Sequence, residues 1–472
     1  MKTILTSHHP ANRRLLLIFS GWSTSPALYS DITAEGWDVM TLYDYSDLSL
    51  DTAPLEGYAT IFVMAWSLGV VAAEYAARTS MRHIPVAAAF AINGTLFPAH
   101  DRMGIPSQIF DGTERTLNPR NLARFRHRLS SPRDPYRFPE DSPAAISPEE
   151  ENDSERLIDR LRLELRTLRD LLSSLPDTPD STCGMPWRRA YISDNDLIFP
   201  AAAQQNAWNQ HPLHPAIFNM EGGHFIPLQN IARSITPDHQ SIGLRFARAA
   251  ATYADHASAQ HSIARHLAEL LPADHLPQSA DMIEIGAGTG SLTRAIASRA
   301  EIGSATFIDL YPLSPFGLFA SERYVEADAE EWLDSVPDGT TDLIASASTI
   351  QWFADPARFF RNAMRILRPG GILLCSTFLP GNLAQLDSLR PTPLLYPDAG
   401  ELSQMLHQAS FSHIALEDEK ITLTFPTPRE LLMHLKLTGV AGGTRALTRQ
   451  ILTLLPSPAS LTYRPLYLRA IK

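Results

Sequence analysis

The chain has 472 residues, enough for two or three domains, with 44% hydrophobic residues, 19% charged residues and a net charge of −11. This composition supports a sizeable core and excludes a disordered chain, while the acidic balance argues against a dedicated nucleic-acid-binding protein. The two cysteines and the shortness of every apolar run predict no disulfide framework, no metal site and no membrane span, so we expect a cytoplasmic protein.

Short apolar runs alternate with helical patterns in the first part of the chain. Strands are predicted at 15–19, 37–42, 59–65 and 86–92, and a helix is predicted directly after the third strand. Short buried strands separated by helices are typical of a parallel sheet covered on both faces. The sequence therefore predicts an α/β domain over residues 1–228.

Residues 116–180 interrupt this alternation, and we call them the lid segment. Arginines are concentrated at its beginning, at Arg120, Arg124, Arg126, Arg128, Arg133 and Arg137. Residues 147–150 have the pattern of a helix start, and leucines then recur at helical spacing from Leu157 to Leu175. We interpret the segment as a helical lid inserted before the sheet resumes at 190–192.

A segment rich in Asn, Ser, Thr, Pro and His, at 229–243, predicts a linker between two domains. From 244 a helical stretch precedes predicted strands at 282–285, 306–309, 342–345 and 371–376. Helical patterns separate these strands, as in the first domain. The sequence therefore predicts a second α/β domain over 244–472.

A serine nucleophile is predicted after the third strand. The residues Ala65-Trp66-Ser67-Leu68-Gly69 lie between an apolar strand and a helical pattern. They match the G-x-S-x-G pattern of the nucleophile elbow, with alanine in the first position. Small residues are needed there because the elbow is strained and the helix packs closely on the strand. The pattern predicts an α/β-hydrolase with Ser67 at the carboxyl edge of its sheet.

A serine nucleophile needs a base, and the base needs an acid that orients it. In the chain order of α/β-hydrolases the acid comes next and the histidine last. Asp196 follows a predicted strand and His224 lies in a Gly-rich loop, so these two residues complete the predicted triad, with Asp194 as an alternative acid. The backbone N–H groups of Leu68 and Trp22 are the predicted oxyanion donors.

A glycine-rich turn follows the first strand of the second domain, where Glu284 precedes Gly286, Gly288 and Gly290. The spacing G-x-G-x-G differs from the G-x-G-x-x-G of dinucleotide-binding folds. A carboxylate two residues before the first glycine would repel a pyrophosphate but suits a ligand that carries an ammonium group. S-adenosylmethionine (SAM) is such a ligand, so we predict a Rossmann-like, SAM-dependent methyltransferase.

Later residues extend the predicted SAM site. Asp309 ends the next strand, where an acid binds ribose hydroxyls in NAD enzymes. Asp328 and Ala329 are expected at the adenine, and Ser346 near the methionine moiety. A carboxylate acceptor is already ionised at pH 7, so its methylation requires no general base. Catalysis then depends on positioning the acceptor in a site that excludes water.

Residues 1–228 resemble the pimeloyl-[acyl-carrier protein] methyl ester esterase family. The resemblance lies at 19–22, 43–45, 65–70, 91–95, 104–106, 187–200 and 205–208. Residues from 244 resemble malonyl-[acyl-carrier protein] O-methyltransferases, at the lead helix 245–250 and at 253, 256, 257, 260, 351–352 and 434–439. The lid segment from 138 and the residues after Asp309 depart from the family patterns.

The two resemblances imply one bifunctional enzyme of biotin synthesis, acting on acyl groups held by an acyl-carrier protein. The C-terminal domain would methylate the free carboxylate of the malonyl group with SAM, and the N-terminal domain would hydrolyse the pimeloyl methyl ester. Candidate residues around the malonyl group are Tyr253, His256, Gln260, Gln351 and Lys436. The alternative is an unrelated serine esterase fused to a small-molecule methyltransferase.

Acyl-carrier proteins are acidic, so a basic surface is expected where one docks. The candidates for this surface are Arg120, Arg124, Arg126 and Arg128 of the lid segment, together with Arg188 and Arg189. No nucleic-acid or membrane partner is expected.

Overall fold

The structure, a computed structural model, describes residues 1–130, 134–139, 154–171, 184–389, 394, 396–440 and 445–472. The chain divides into two compact units, Met1–Thr236 and Pro237–Lys472. No helix in these described ranges is both long and apolar enough to cross a membrane.

The boundary between the units lies inside the predicted linker 229–243, but this segment is mostly helical. One helix covers Leu228–Ile235 and the next begins at His239. The polar residues that suggested a linker include a helix cap, because the Asp238 carboxylate accepts a hydrogen bond from the backbone N–H of Ser241 at 2.8 Å. The predicted segment thus contains the division between the two units, and most of its residues are helical.

Unit 1 is built on a seven-stranded sheet. Its strands are β1 (Lys2–Ser7), β2 (Arg14–Phe19), β3 (Asp38–Tyr43), β4 (Thr60–Trp66), β5 (Val86–Ile92), β6 (Trp187–Ser193) and β7 (Ala216–Met220). The order across the sheet is β1-β3-β2-β4-β5-β6-β7. All neighbours are parallel except the edge strand β1, which runs antiparallel to β3. The carboxyl ends of six strands therefore lie along one edge of the sheet.

The helices of unit 1 are α1 (Gly69–Arg78), α2 (Ser107–Thr116), α3 (Pro119–His127), α4 (Ser154–Arg169), α5 (Ala201–Asn209) and α6 (Leu228–Ile235). Helices α3 and α4 lie in the lid segment, and α4 buries the leucines at 157, 161, 165 and 168. The predicted cap at 147–150, the residues Leu172 and Leu175, Arg133 and Cys183 lie outside the described residues.

Unit 2 also contains a seven-stranded sheet. Its strands are β8 (Ala280–Ile285), β9 (Ile302–Asp309), β10 (Ser321–Glu326), β11 (Thr341–Ala347), β12 (Leu367–Phe378), β13 (Ser412–Asp418) and β16 (Pro465–Ile471), with β14 (Ile421–Phe425) and β15 (Ala459–Tyr463) in a separate pair. The order is β10-β9-β8-β11-β12-β16-β13, and the first five strands are parallel. The order reverses between β8 and β11, which is the Rossmann-like arrangement that places ligands at the carboxyl ends of these strands.

The helices of unit 2 are α7 (His239–His256), α8 (Ser258–Glu269), α9 (Ser291–Ala297), α10 (Ala329–Trp332), α11 (Pro356–Ile366), α12 (Ala399–Gln408), α13 (Pro428–Leu437) and α14 (Arg445–Leu454). Strands β13 to β16, as well as β1 and β7, were not predicted from the sequence. Residues of β13 and β14 alternate between exposed and half-buried, so they lack the continuous apolar runs by which the central strands were identified.

Candidate active sites of the two units

Ser67 lies at a tight turn between β4 and α1. Its φ is +58°, a left-handed conformation that is strained for a residue with a side chain. Two glycines pack against the backbone around this turn. A Cβ on Gly69 would lie 2.5 Å from the Phe19 carbonyl oxygen, and a Cβ on Gly94 would lie 2.2 Å from the Ser67 carbonyl oxygen. The glycines let the elbow and the adjoining loops pack together, and this packing holds the serine at the carboxyl edge of the sheet.

The side chains of Ser67, His224 and Asp196 form one hydrogen-bonded chain. The Ser67 Oγ lies 2.8 Å from the His224 Nε2, and the His224 Nδ1 lies 2.8 Å from the Asp196 Oδ2. All three residues are buried. The alternative acid, Asp194, instead accepts a hydrogen bond from the backbone N–H of Gly222 at 3.0 Å. The structure therefore brings together Asp196, and not Asp194, with the histidine.

The Asp196 carboxylate is fixed by three further donors. Its Oδ1 accepts hydrogen bonds from the backbone N–H groups of Ile198 and Phe199, at 2.8 and 2.9 Å, and its Oδ2 accepts one from the Gln204 side chain at 3.0 Å. The Phe199 ring also stacks on the imidazole, with the ring planes 9° apart. These contacts fix the carboxylate in position to accept a hydrogen bond from the His224 Nδ1–H.

The backbone of His224 is held by residues that the sequence analysis did not assign to the site. The indole N–H of Trp66 donates to the His224 carbonyl at 3.0 Å, and the Asn93 side chain donates to the same oxygen at 2.9 Å. Asn93 follows β5 directly, at the same edge of the sheet as Ser67. This position at a carboxyl strand end was the one sequence signal that could have identified it.

A cavity of about 440 Å³ opens beside Ser67. Its lining is mostly apolar and comes from the core and from α2, α3 and α4: Trp22, Ser67, Leu68, Ile105, Ile109, Phe110, Thr113, Phe125, Arg128, Leu165, Leu197 and Ile198. The predicted oxyanion donors, Trp22 and Leu68, thus border the same space as the serine. Within the described residues, neither of their backbone N–H groups has a hydrogen-bond acceptor. Both N–H groups can therefore serve a ligand.

The arginines of the predicted docking surface have different environments. Arg120, Arg124 and Arg128 are exposed, whereas Arg126 donates to the Ser23 carbonyl at 2.7 Å. Arg189 is only 3% exposed and donates to the Tyr191 hydroxyl, so its assignment to a docking surface is wrong. It lies in β6 and points into the protein, which the sequence did not indicate.

Unit 2 has a cavity of about 990 Å³ at the carboxyl ends of β8, β9 and β11. The glycine-rich turn after β8 forms one wall, with positive φ at Gly286 and Gly288. A Cβ on Gly286 would lie 2.1 Å from the Thr349 Oγ1, whereas one on Gly288 would meet nothing closer than 3.7 Å. Gly288 therefore faces open space in the cavity, where a ligand can approach the backbone.

Two carboxylates line this cavity, that of the buried Glu284 and that of the half-buried Asp309. Burial raises the pKa of Glu284 to about 8, and its carboxylate accepts a hydrogen bond from the Thr293 hydroxyl at 2.7 Å. Burial also raises the pKa of Asp309 to about 6, although that carboxylate accepts a hydrogen bond from the Gly288 N–H at 2.9 Å. Buried acids with raised pKa values are stabilised in their charged form when a cationic ligand binds beside them.

At another side of the cavity, the His239 side chain in α7 contacts residues of two other segments, Asp328 and Trp352. Its Nδ1 lies 2.6 Å from the Asp328 carboxylate and its Nε2 lies 2.9 Å from the Trp352 carbonyl. Glu330 is close enough to complete a metal-binding group with these side chains, but its two oxygens accept hydrogen bonds from the backbone of Ala354 and Asp355. The ligand atoms are thus already engaged in hydrogen bonds. His239 falls in the segment interpreted as a linker, so its role was missed.

Most of the predicted SAM-binding residues line the cavity: Glu284, Gly286, Gly288, Asp309, Asp328 and Ala329. Gly290 does not; it precedes α9 with φ of +77°, and a Cβ there would strike the Phe316 ring at 2.7 Å. Ser346 does not either, because it is fully buried and donates to the Ile285 carbonyl. Ser348, two residues later, faces the cavity instead.

The predicted malonyl-site residues separate into two groups. Tyr253, Gln260 and Gln351 line a second cavity, of about 450 Å³, which shares residues with the first. His256 and Lys436 are exposed and line neither cavity, so the structure does not bring them together with the other three residues. Both lie at the ends of helices, α7 and α13, whose other faces are packed in the protein.

The chemistry of the larger cavity fits SAM. Two acids stand where the ammonium and ribose groups are expected, and the backbone of Gly288 is open to close approach. The carboxylate-lined walls suit a cationic ligand and disfavour a pyrophosphate.

Comparison with known proteins identifies both units. The family model for "Pimeloyl-ACP methyl esterase BioG" matches residues 1–231, and a model for a methyltransferase domain matches residues 255–419. The malonyl-[acyl-carrier protein] O-methyltransferase of Bacteroides fragilis is 33% identical, and the alignment covers 98% of this chain and 94% of that protein. The enzyme of the same name from Porphyromonas gingivalis is 37% identical over 44% of this chain and 80% of its own length.

Among solved structures, BioG from Haemophilus influenzae is 30% identical, the match covers 48% of this chain and 94% of that chain, and the TM-score is 0.38. The Bacteroides fragilis match extends over nearly all of both chains and therefore determines the assignment. The chain belongs to the malonyl-[acyl-carrier protein] O-methyltransferase family and joins a domain of the pimeloyl-ACP methyl esterase family to a C-terminal methyltransferase domain.

Proposed function

We propose that the chain is a bifunctional enzyme of biotin synthesis. Unit 2 methylates the free carboxylate of malonyl-[acyl-carrier protein] with SAM, and unit 1 hydrolyses the methyl ester of pimeloyl-[acyl-carrier protein]. The observation that carries the proposal is the presence of two separate sites in one chain. One is the chain of hydrogen bonds from Ser67 to Asp196, and the other is the carboxylate-lined cavity beside Gly288.

We assign unit 1 to the α/β-hydrolases. Three features support this assignment. The strands β3-β2-β4-β5-β6-β7 are parallel, Ser67 has a left-handed backbone between β4 and α1, and the triad residues occur in the chain order serine, aspartate, histidine. The predicted lid has support in helix α4, since the Trp22 indole donates to the Leu161 carbonyl of that helix at 3.0 Å. The assigned boundaries are 1–236 for the esterase and 237–472 for the methyltransferase.

Ester hydrolysis follows from the chain of hydrogen bonds. His224 takes the proton from the Ser67 hydroxyl as the oxygen attacks the ester carbonyl, and Asp196 stabilises the imidazolium that forms. The backbone N–H groups of Trp22 and Leu68 stabilise the negative oxygen of the intermediate. His224 then protonates the departing methoxide, which leaves as methanol. In the second half-reaction His224 takes a proton from water as the water attacks the acyl-enzyme, and it returns a proton to the Ser67 oxygen as the acid is released. The apolar cavity walls suit the methylene chain of a pimeloyl group.

In unit 2, SAM supplies a methyl group on a positively charged sulfur. Glu284 would hold its ammonium group and Asp309 its ribose hydroxyls, with the adenine near Asp328 and Ala329. The acceptor carboxylate is already ionised at pH 7, so the reaction needs no side chain that transfers a proton. The pocket walls exclude water from this acceptor.

The direct test incubates the purified full chain with malonyl-[acyl-carrier protein] and SAM, and separately with pimeloyl-[acyl-carrier protein] methyl ester. Mass spectrometry of the carrier should detect the gain of a methyl group in the first reaction and its loss in the second. Activity on small free methyl esters alone, with no reaction on either carrier-bound substrate, would favour an unrelated esterase fused to a small-molecule methyltransferase.

Glu284 is expected to make SAM binding pH-dependent. With its pKa at about 8, the free protein holds a proton on Glu284 at pH 7, while the ammonium group of the ligand favours the carboxylate. Binding at pH 7 should therefore release close to one proton, and affinity should rise by up to about tenfold per pH unit as pH increases towards 8. Calorimetry in buffers of different ionisation enthalpy measures the released proton.

The matched control is Glu284→Gln, which keeps the shape of the side chain and cannot titrate. It should bind SAM more weakly and should lose the proton release. Equal proton release by the variant and the wild-type protein would assign the titration to another group, such as Asp309.

Docking of the carrier protein is expected to depend on exposed arginines of α3. Reversing both charges with Arg120→Glu and Arg124→Glu should raise KM for pimeloyl-[acyl-carrier protein] methyl ester by about tenfold, because an acidic partner loses two favourable interactions. The kinetics on a small free methyl ester should not change. Arg233→Glu, at an exposed position in α6, is the control. Equal losses on the carrier-bound and the free ester would contradict docking at α3.

A further inference from the structure

The two cavities of unit 2 meet at a common set of residues. Both are lined by Phe246, Tyr253, Gln260, Ser348 and Trp352. If the larger cavity holds SAM, an acceptor in the smaller one reaches the methyl group at this junction. The side chains of the junction therefore surround the reacting atoms.

The smaller cavity has an uncharged lining. Among the residues that the structure describes, its walls are Phe246, Tyr253, Gln260, Ser348, Gln351, Trp352, Phe378, Asn382, Leu383, Leu394, Tyr396, Val440 and Tyr463. None of these is Lys, Arg or His. Arg245 lies 5.6 Å from the Trp352 ring but lines neither cavity. Tyr253 stays a neutral hydroxyl, since burial raises its pKa far above neutrality.

Three polar side chains near the junction have buried atoms without a partner. The Gln260 Oε1, the Ser348 Oγ and the Gln351 Oε1 form no hydrogen bond with any described residue. Gln260 is 7% exposed, and neither end of its amide is engaged within the described chain. A carboxylate only accepts hydrogen bonds, so the groups here that can bind one are the Ser348 hydroxyl and the NH2 end of the Gln260 amide, whereas the two Oε1 atoms can only accept.

Ser348 is held in a fixed orientation at this point. Its φ is +53°, and its backbone N–H donates to the Ser376 hydroxyl at 3.0 Å. Its carbonyl accepts a hydrogen bond from the Gln351 amide at 2.6 Å. The backbone is thus fixed on both sides while the hydroxyl has no partner, so the serine is positioned to donate to an acceptor.

We propose that the acceptor carboxylate is received by uncharged hydrogen-bond donors, the Gln260 amide nitrogen and the Ser348 hydroxyl, and that the sulfonium, rather than a cation of the described walls, balances its charge. This inference rests on the proposed carboxyl methylation. A carboxylate oxygen forms a bond to the methyl carbon while the carbon–sulfur bond breaks and its electron pair stays on sulfur. The two opposite charges cancel, and no proton moves.

The absence of a cation in the described walls has a kinetic consequence. A lysine or arginine beside the carboxylate would stabilise the charged reactant more than the transition state, in which that charge is disappearing. It would tighten binding of the acceptor and slow the reaction. Neutral donors orient the acceptor without this penalty.

Two variants test the charge of the pocket. Gln260→Glu has nearly the same shape and should raise the Kd and KM for malonyl-[acyl-carrier protein] at least about tenfold, with SAM binding by calorimetry kept or tightened. Gln351→Lys lines only the smaller cavity; it should lower the Kd for malonyl-[acyl-carrier protein] and reduce kcat by about tenfold. Acceptor binding is measured without SAM, so it does not depend on turnover. Gln408→Lys, at an exposed position in α12, is the matched control and should match wild type.

The possible results separate the two proposals. An unchanged acceptor Kd in Gln260→Glu, or an unchanged or increased kcat in Gln351→Lys, would overturn neutral recognition while wild-type methylation of malonyl-[acyl-carrier protein] still stands. A wild-type protein that binds SAM but methylates no carboxylate would instead overturn the proposed function. SAM binding by each variant verifies that unit 2 is folded.

Discussion

Replacing Ser67 by alanine is expected to reduce hydrolysis of pimeloyl-[acyl-carrier protein] methyl ester by about 10,000-fold or more, because no other described hydroxyl is hydrogen-bonded to the His224 Nε2. Ser67→Ala retains a Cβ at the same left-handed backbone position, so the strain of the elbow is unchanged. Release of the free pimeloyl carboxylate, followed by mass spectrometry of the carrier, measures the loss.

The same variant should keep its methyltransferase activity, because Ser67 lies in unit 1 and the SAM cavity lies wholly in unit 2. Ser30→Ala, at an exposed serine of unit 1, is the control and should hydrolyse the ester at the wild-type rate. Hydrolysis by Ser67→Ala at even a tenth of the wild-type rate would mean that another group is the nucleophile.

Replacing Gly288 by leucine is expected to weaken SAM binding by at least about 100-fold, equivalent to about 2.7 kcal/mol. A Cβ at this position meets no atom within 3.7 Å, so the side chain has room in the protein and extends into the ligand cavity. The positive φ adds a cost of about 1–2 kcal/mol to the folded state. Calorimetric titration with SAM gives the affinity, and ester hydrolysis should be unaffected.

Gly339→Leu controls for the backbone strain. Gly339 has φ of +62°, close to that of Gly288, and a Cβ there meets nothing within 4 Å. Both variants should therefore lose similar amounts of stability, while only Gly288→Leu loses SAM. If the two variants bind SAM equally well, the ligand does not occupy the space in front of the glycine turn. Gly286 is a poorer test, because its Cβ would collide with Thr349 even without a ligand.

Most of the parallel strands of both units could be predicted from sequence because they are short, mostly apolar and largely buried, whereas the buried antiparallel strand β16 was missed. β4 and β8 are examples, and the motifs that follow them, at Ser67 and at Gly286, necessarily lie at the carboxyl edge of a parallel sheet. Local spacing and strand polarity are enough for that inference. The edge strands are only half-covered, and their weaker pattern did not identify them.

Other features depend on contacts between distant parts of the chain. Asp194 and Asp196 both follow β6. Only the conformation of the folded loop decides that the Asp196 carboxylate faces His224, while the Asp194 carboxylate accepts a hydrogen bond from the Gly222 N–H. His239 is 89 residues from its partner Asp328, so no local pattern connects them. A sequence fixes which residues share a strand end, but distances between loops depend on how the loops pack.

The malonyl-site candidates illustrate the same division. The resemblance selected five residues, and two of these are His256 and Lys436. The tertiary structure exposes both and instead turns Gln260 and Ser348 to the junction of two cavities. The sequence by itself determined two α/β units, a serine elbow and a glycine turn. The tertiary structure decided which side chains complete each site, because burial and pairing depend on residues that are remote in the chain.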